Sequence, residues 1–276
     1  MMSSTTNWFD LPLDLKINIL SRIDPVEILV NTQKVCTDWY KVCKDPSMWK
    51  VINLCVLMDH YDVSYTERMK MCKHVVDRSQ GQLVEVIFPR FLLPNDVLMY
   101  IAADRASQLK RLIMYIGSGA SNDLSMKSLP EALKKFPLLE ELDVDFCHLS
   151  KEVIESLGRY CTRLKKLNYI EEGPFGSSLL LNDELAVCIG ENLHELRHLE
   201  LYNNGISNIG LKVILDGCRQ LETLDLGMCE HIDLNGDVVK RASEQIKHLT
   251  LPNPNCMLRP LGIEYSDTAT ATEDDN

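Results

Sequence analysis

The chain has 276 residues and a mass of 31.5 kDa, which allows one or two domains. Its 45% apolar and 25% charged composition belongs to a folded globular protein and excludes wholesale disorder. With 29 Lys and Arg against 40 Asp and Glu, the net charge is −11, so no basic surplus exists to coat nucleic acid.

The charge is unevenly placed. Residues 1–50 are balanced, the body is acidic, and the last ten residues carry Asp267, Glu273, Asp274 and Asp275 with no base. Met1 to Asn7 has neither the basic n-region nor the apolar h-region of a signal peptide. No apolar run approaches the roughly 18 residues that a membrane span needs, and no N-x-[ST] sequon occurs. The 10 cysteines include no C-x-x-C pair and sit in apolar patterns, so neither zinc nor a disulfide framework is expected. The reading is a soluble chain of the nucleus or cytoplasm, with no membrane contact.

The first predicted elements are short helices across 8–52. Leu15, Ile19, Leu20 and Ile23 follow Pro12 at helical spacing. Asp24-Pro25 and Asp45-Pro46 each pair an N-cap with Pro at the first helical position. Val35, Cys36, Trp39, Tyr40 and Cys43 form a stripe on a further helix. So small a bundle needs support from the body or from a partner. The pattern Trp8-x-x-Leu11-Pro12-x-Asp14-Leu15-x-x-x-Ile19-Leu20, then Val35-Cys36-x-x-Trp39, then Trp49, resembles an F-box. With the Asn7-Trp8 lead-in, it is similar to plant F-box/leucine-rich-repeat proteins of the Skp-interacting-partner (SKIP) type. That resemblance implies adaptor binding through Leu11, Pro12, Leu15, Ile19, Leu20, Val35 and Trp39, some packing internally and some meeting the adaptor. Asn31-Thr32-Gln33 is polar where relatives are often apolar or small.

Residues 53–82 are expected to be a connection plus a helix that caps the open end of the body. The helix is marked by Met69, Cys72, Val75 and Val76, with Thr66 as its N-cap. No Gly/Ser-rich linker intervenes.

From 83 to 263 the frame Φ-x-x-Φ-x-Φ, with Φ apolar, recurs from Leu83, Leu109, Leu139, Leu164, Leu196, Leu221 and Ile246. Five copies read almost alike: LLEELDV, RLKKLNY, ELRHLEL, QLETLDL and QIKHLTL. The last two Φ positions have period 2, a short strand, and a helical pattern follows each. One such unit cannot bury its apolar face alone, so the units stack into a curved solenoid with strands on its inner face. This resembles a leucine-rich repeat. The fold class is therefore α/β: a three-helix head, then about seven strand-helix repeats. Cys147, Asn204 and Cys229 fall three residues after the last Φ, where the repeat family uses Asn or Cys to satisfy turn backbone; Phe91, Gly117, Glu172 and Pro254 replace it elsewhere. Met257, Leu258, Leu261 and Ile263 are placed to close the last repeat, and 264–276 reads as a disordered acidic tail.

In each strand the residues between the Φ positions face the concave surface. The first row is Glu85, Arg111, Glu141, Lys166, His198, Thr223, His248, a ladder that largely neutralises itself. The middle row carries Asp143, Glu200 and Asp225 with no opposite charge beside them in that row. With Arg111, Asp145, Tyr115, Phe146 and Tyr202, these predict an acidic patch with aromatic anchors for a basic segment of a protein partner; an ordinary solvated acidic face is the plain alternative. Phe175, on a Gly/Pro/Ser-rich loop that lengthens the fourth repeat, is a further candidate contact.

His194-Glu195-Leu196-Arg197-His198 matches H-E-x-x-H. The repeat phase places His198 in a strand, where i and i+4 lie about 13 Å apart, too far to share zinc. No catalytic residue, cofactor or metal is expected. The resemblance implies the substrate-recognition subunit of an SCF (Skp-cullin-F-box) ubiquitin ligase, non-catalytic itself, joined through the adaptor to a cullin and a RING protein. The alternative is a repeat scaffold that binds protein without directing ubiquitination.

Overall fold

The structure is a computed structural model that describes residues 7–55, 64–88, 95–103, 105–115, 127–171 and 181–253. The head holds α1 (Leu13–Leu20), α2 (Pro25–Val30) and α3 (Thr37–Cys43), with 3-10 turns before α1 (Trp8–Asp10), between α2 and α3 (Thr32–Lys34) and after α3 (Pro46–Trp49). Asp24 caps α2 as its sequence implies: its Oδ1 accepts the Val26 and Glu27 backbone N–H groups at 2.6 and 3.3 Å.

The body is one sheet of eight parallel strands, each neighbouring the next in chain order. They are β1 (Val51–Asn53), β2 (Glu85–Phe88), β3 (Arg111–Tyr115), β4 (Glu141–Cys147), β5 (Lys166–Glu171), β6 (His198–Tyr202), β7 (Thr223–Asp225) and β8 (His248–Thr250). Helices α4 (Tyr65–Arg78), α5 (Asn95–Ala102), α6 (Leu129–Leu133), α7 (Lys151–Tyr160), α8 (Glu184–Asn192), α9 (Asn208–Gly217) and α10 (Asp237–Gln245) alternate with them. Strand order equal to chain order is the signature of a solenoid, because each unit buries its face only against its immediate neighbours. The strand Φ residues Val86, Leu112, Leu142, Leu167, Leu199 and Leu224 are inside, at most 1% exposed, while Leu249 in β8, the last strand, is only partly buried. No helix of the described residues is long and apolar enough to cross a membrane.

The sheet has one strand more than the repeat count implies. β1 pairs with β2 from Val51↔Glu85 to Asn53↔Ile87, so it straddles the expected boundary between 52 and 53. Trp49, Ile52 and Leu54 fit the Φ-x-x-Φ-x-Φ frame and are 2%, 0% and 0% exposed. α4 is thus the helix of a complete first unit rather than a cap following a linker. Its N-cap is Ser64, not Thr66: Ser64 Oγ accepts the Glu67 N–H at 3.3 Å and Glu67 reaches back, a reciprocal capping box.

The head and the solenoid meet through buried contacts. The Cys43 carbonyl, at the end of α3, accepts from Trp49 Nε1 at 2.9 Å and from Arg78 Nη1 at 3.1 Å. Arg78 Nη2 also donates to Gln33 Oε1 at 3.0 Å, and its guanidinium lies 5.7 Å from the Trp49 ring centre. Burial of Arg78 lowers its pKa, opposed in part by Tyr40. Of the polar Asn31-Thr32-Gln33 stretch, Asn31 stays at the surface, bonded to Glu27, while the other two serve the interior. Thr32 is 4% exposed and Gln33 receives the solenoid's arginine. One apolar core runs from Leu20 in the head to Ile246 in the last unit.

Candidate functional site

The head turns an apolar surface to solvent. Leu15 and Ile19 on α1 are 48% and 45% exposed and Val35 is 62% exposed. Phe9, Leu13, Val30 and Tyr40 are also exposed. Isolated exposed apolar residues are ordinary, but this many on one small module make it a candidate binding surface. Beneath it, Trp8 and Trp39 pack with ring centres 5.1 Å apart. Asp38 ties them down, accepting from Trp8 Nε1 at 2.9 Å and from the buried Lys16 ammonium at 3.0 Å. The Lys16 hydrogen bond is the main reason the Asp38 carboxyl lies below its usual range.

On the concave face the strands align in the expected rows, Arg111↔Glu141↔Lys166↔His198↔Thr223↔His248 and Ile113↔Asp143↔Asn168↔Glu200↔Asp225↔Thr250. The first row and the residue before it form a charge belt. Arg111 lies 3.5 Å from Glu85 and 3.3 Å from Glu141, and Lys166 lies 3.9 Å from Glu141. Lys110 meets Glu140 at 3.5 Å, while Arg197 and Lys247 meet Glu222 at 3.4 and 2.9 Å. The belt largely satisfies itself and leaves the acids of the deeper rows as the distinctive charge. A trough of about 550 Å³ is lined by both rows, Lys166 and His198 from the first and Glu200 and Asp225 from the middle. Burial raises the pKa of Asp143, against the pull of Lys166 and Arg111. Burial, then Asp145 and Asp143, raises that of Tyr115.

An F-box domain model matches residues 8–51. F-box/LRR-repeat protein 23 of Arabidopsis thaliana is 45% identical over 90% of this chain and 54% of its own length. Two further Arabidopsis thaliana proteins, F-box/LRR-repeat protein 22 and F-box protein SKIP19, are 39% and 41% identical. They align with 90% and 91% of this chain and with 78% and 79% of their own lengths. The chain belongs to the F-box/leucine-rich-repeat family. It spans about half of the first relative and nearly four fifths of the other two.

Within this F-box the seven candidate adaptor residues divide. Pro12, Leu15, Ile19 and Val35 are exposed, and Leu11 and Trp39 are half-buried. Leu20, only 1% exposed, is one of those that pack internally: it holds α1 from behind and does not form the surface. Phe9, Leu13 and Val30 escape a reading of the sequence because helical spacing there marks the buried stripe, and these lie off it; Tyr40 belongs to the stripe by its spacing, yet is 45% exposed.

Among the repeat candidates, Arg111, Tyr115, Asp145 and Asp225 are partly exposed. Tyr202 and Glu200 are each only 6% exposed. For Tyr202 the cause is Gly227 in the next unit, where an added Cβ would stand 2.5 Å from the ring; the tyrosine packs onto bare backbone and is no free anchor. Asp143 is not isolated from cations, because Arg111 Nη2 reaches it diagonally at 3.9 Å. Phe146 is in β4 by its backbone. Phe175, the loop around it, residues 257–263 and the tail lie outside the described residues.

The cysteines act as structural donors. Cys161 Sγ donates to the Phe136 carbonyl at 3.5 Å, Cys218 Sγ to Leu193 at 3.4 Å, and Cys229 Sγ to Leu201 at 3.0 Å. Burial pushes all three thiols up to about 12, the opposite of what a nucleophile requires. The histidines of the H-E-x-x-H string part company: His194 Nδ1 is 3.2 Å from the Gly217 carbonyl and His198 Nδ1 is 3.1 Å from Thr223 Oγ1.

Proposed function

We propose that this protein is the substrate-recognition subunit of an SCF ubiquitin ligase. Its F-box grips a Skp-type adaptor, and through it a cullin and a RING protein. Its concave face holds the protein to be ubiquitinated, by a basic segment laid over the acidic middle row. The chain itself is non-catalytic and works in the nucleus or cytoplasm. The observation that carries this reading is an F-box with an exposed apolar face, joined through Trp49 and Arg78 directly to a repeat sheet. Such a rigid joint suits a part that must hold one protein at a fixed place relative to another.

The test is co-purification. Wild-type protein should retain the adaptor and cullin, and a Leu15→Asp/Val35→Asp variant should lose both while keeping its melting temperature. Intact protein that ignores the adaptor would sink the proposal. Adaptor binding with no protein accumulating on knockout would favour the non-degrading scaffold instead.

A further inference from the structure

A second recessed site lies at the edge of the concave face, where β4 to β6 hand over to their helices. It is a cavity of about 210 Å³ that includes Glu171, Asn204, Asn182 and Tyr169. Asn204 is 3% exposed. Its Nδ2 donates to Glu171 Oε2 at 2.7 Å, yet its buried Oδ1 has no hydrogen-bond partner. A buried acceptor left without a donor is costly, and Asn204 lines the cavity, so a donor reaching Oδ1 from that side would relieve the cost. Glu171 is also recessed. Burial raises its pKa, against His148 and the Gly205 backbone N–H; the nearest basic side chain is the exposed His148, with Nδ1 3.7 Å away.

The chemistry of the lining narrows the occupant. The space far exceeds the roughly 30 Å³ share of one water. Glu152 and Glu184 at the rim outnumber Lys151, which disfavours an anion. No group of three or more His, Cys, Asp or Glu among the described residues could hold a metal ion. Leu149, Leu185 and Tyr169 offer apolar walls for an aliphatic stem. Two acceptors from adjacent units, a carboxylate and an amide oxygen, suit a planar fork of donors better than the compact, strongly hydrated head of lysine.

We propose that this cavity receives the guanidinium of an arginine side chain from the protein segment held on the concave face, with Glu171 as counter-ion and Asn204 Oδ1 as second acceptor. Glu171 is the last residue of β5, whose Asn168 sits in the middle row between Asp143 and Glu200, so a chain lying across that row reaches the cavity by passing over the sheet's edge. The proposal rests on the partner-binding reading of the repeats and gives it one specific position.

The experiment is a nuclear magnetic resonance titration of the full chain with N-acetyl-arginine amide. The Asn204 side-chain amide and the backbone signals of 148–150 and 182–185 should shift saturably. The neutral isostere N-acetyl-citrulline amide should leave them in place. Glu171→Gln should weaken arginine binding by about tenfold or more. Leu185→Trp, which fills the cavity, should abolish the shifts while the melting temperature holds. The proposal is overturned if citrulline or lysine amide binds as tightly as arginine amide, or if either variant binds like wild type. No adaptor or ubiquitin enters the measurement, so its outcome is independent of the ligase assignment.

Discussion

Two apolar residues of one small module have opposite duties. Val35 is 62% exposed and Leu20 is 1% exposed. Val35→Asp should abolish adaptor capture in a pull-down and change unfolding free energy by no more than about 0.5 kcal/mol, as surface changes do. Leu20→Ala should cost about 2–5 kcal/mol in denaturant unfolding, since it opens a cavity in the head. Asp143 makes a pH prediction. Burial lifts its folded pKa above the unfolded value, so the stability it contributes is complete below the ordinary carboxylate pKa and is lost as pH rises through the folded value. Asp143→Asn, which does not titrate, should therefore melt higher than wild type at neutral pH. That advantage should shrink as the melts are repeated at falling pH; a constant difference would rule the explanation out.

At the scale of elements, helix packing in the distal units depends on a missing side chain. A Cβ at Gly217, at the end of α9, would stand 1.8 Å from the Gly190 carbonyl oxygen of α8. Gly217→Ala must push two backbones apart and should destabilise by about 1–3 kcal/mol in denaturant melts. The same scale separates what the sequence makes legible from what it hides. Seven strands and both inward-facing rows are readable because period 2 within a fixed repeat determines which way each side chain points. β1 is hidden because Trp49 satisfies two patterns at once, closing the F-box motif and opening a repeat. Tyr202 and Asp143 depart from expectation for a different reason. Row logic considers directly opposite neighbours, whereas the Tyr202 ring settles on Gly227 and Arg111 reaches Asp143 along a diagonal. Asn204 is legible as a turn residue, but its orphaned oxygen depends on Glu171 one unit earlier, and no local pattern carries that.

For the whole molecule, the shared core implies that neither half is independent. Removing residues 1–55 deletes Trp49, Ile52 and Leu54 and uncovers the apolar flank of β2. We expect the remainder to aggregate in gel filtration, whereas two separable domains would leave a monomeric solenoid. The charge belt and the acidic rows also differ in their response to salt. A basic partner on the concave face should bind more weakly as ionic strength rises, because its contacts are partly exposed charges. The F-box contact, driven by apolar area, should be nearly indifferent to salt over the same range.

The joint at Trp49 turns the solenoid into a graduated arm. Parallel strands repeat every 4.8 Å or so, which sets β8 about 34 Å along the sheet from β1. Because the 3-10 turn at Pro46–Trp49 leads into β1 with a single residue between them, gaining or losing one repeat would move every feature beyond it by a single fixed increment and turn it through a fixed small angle. If the chain is the substrate receptor proposed above, a change in repeat number would set, in discrete notches, which lysines of the bound protein come within range of the transferring enzyme.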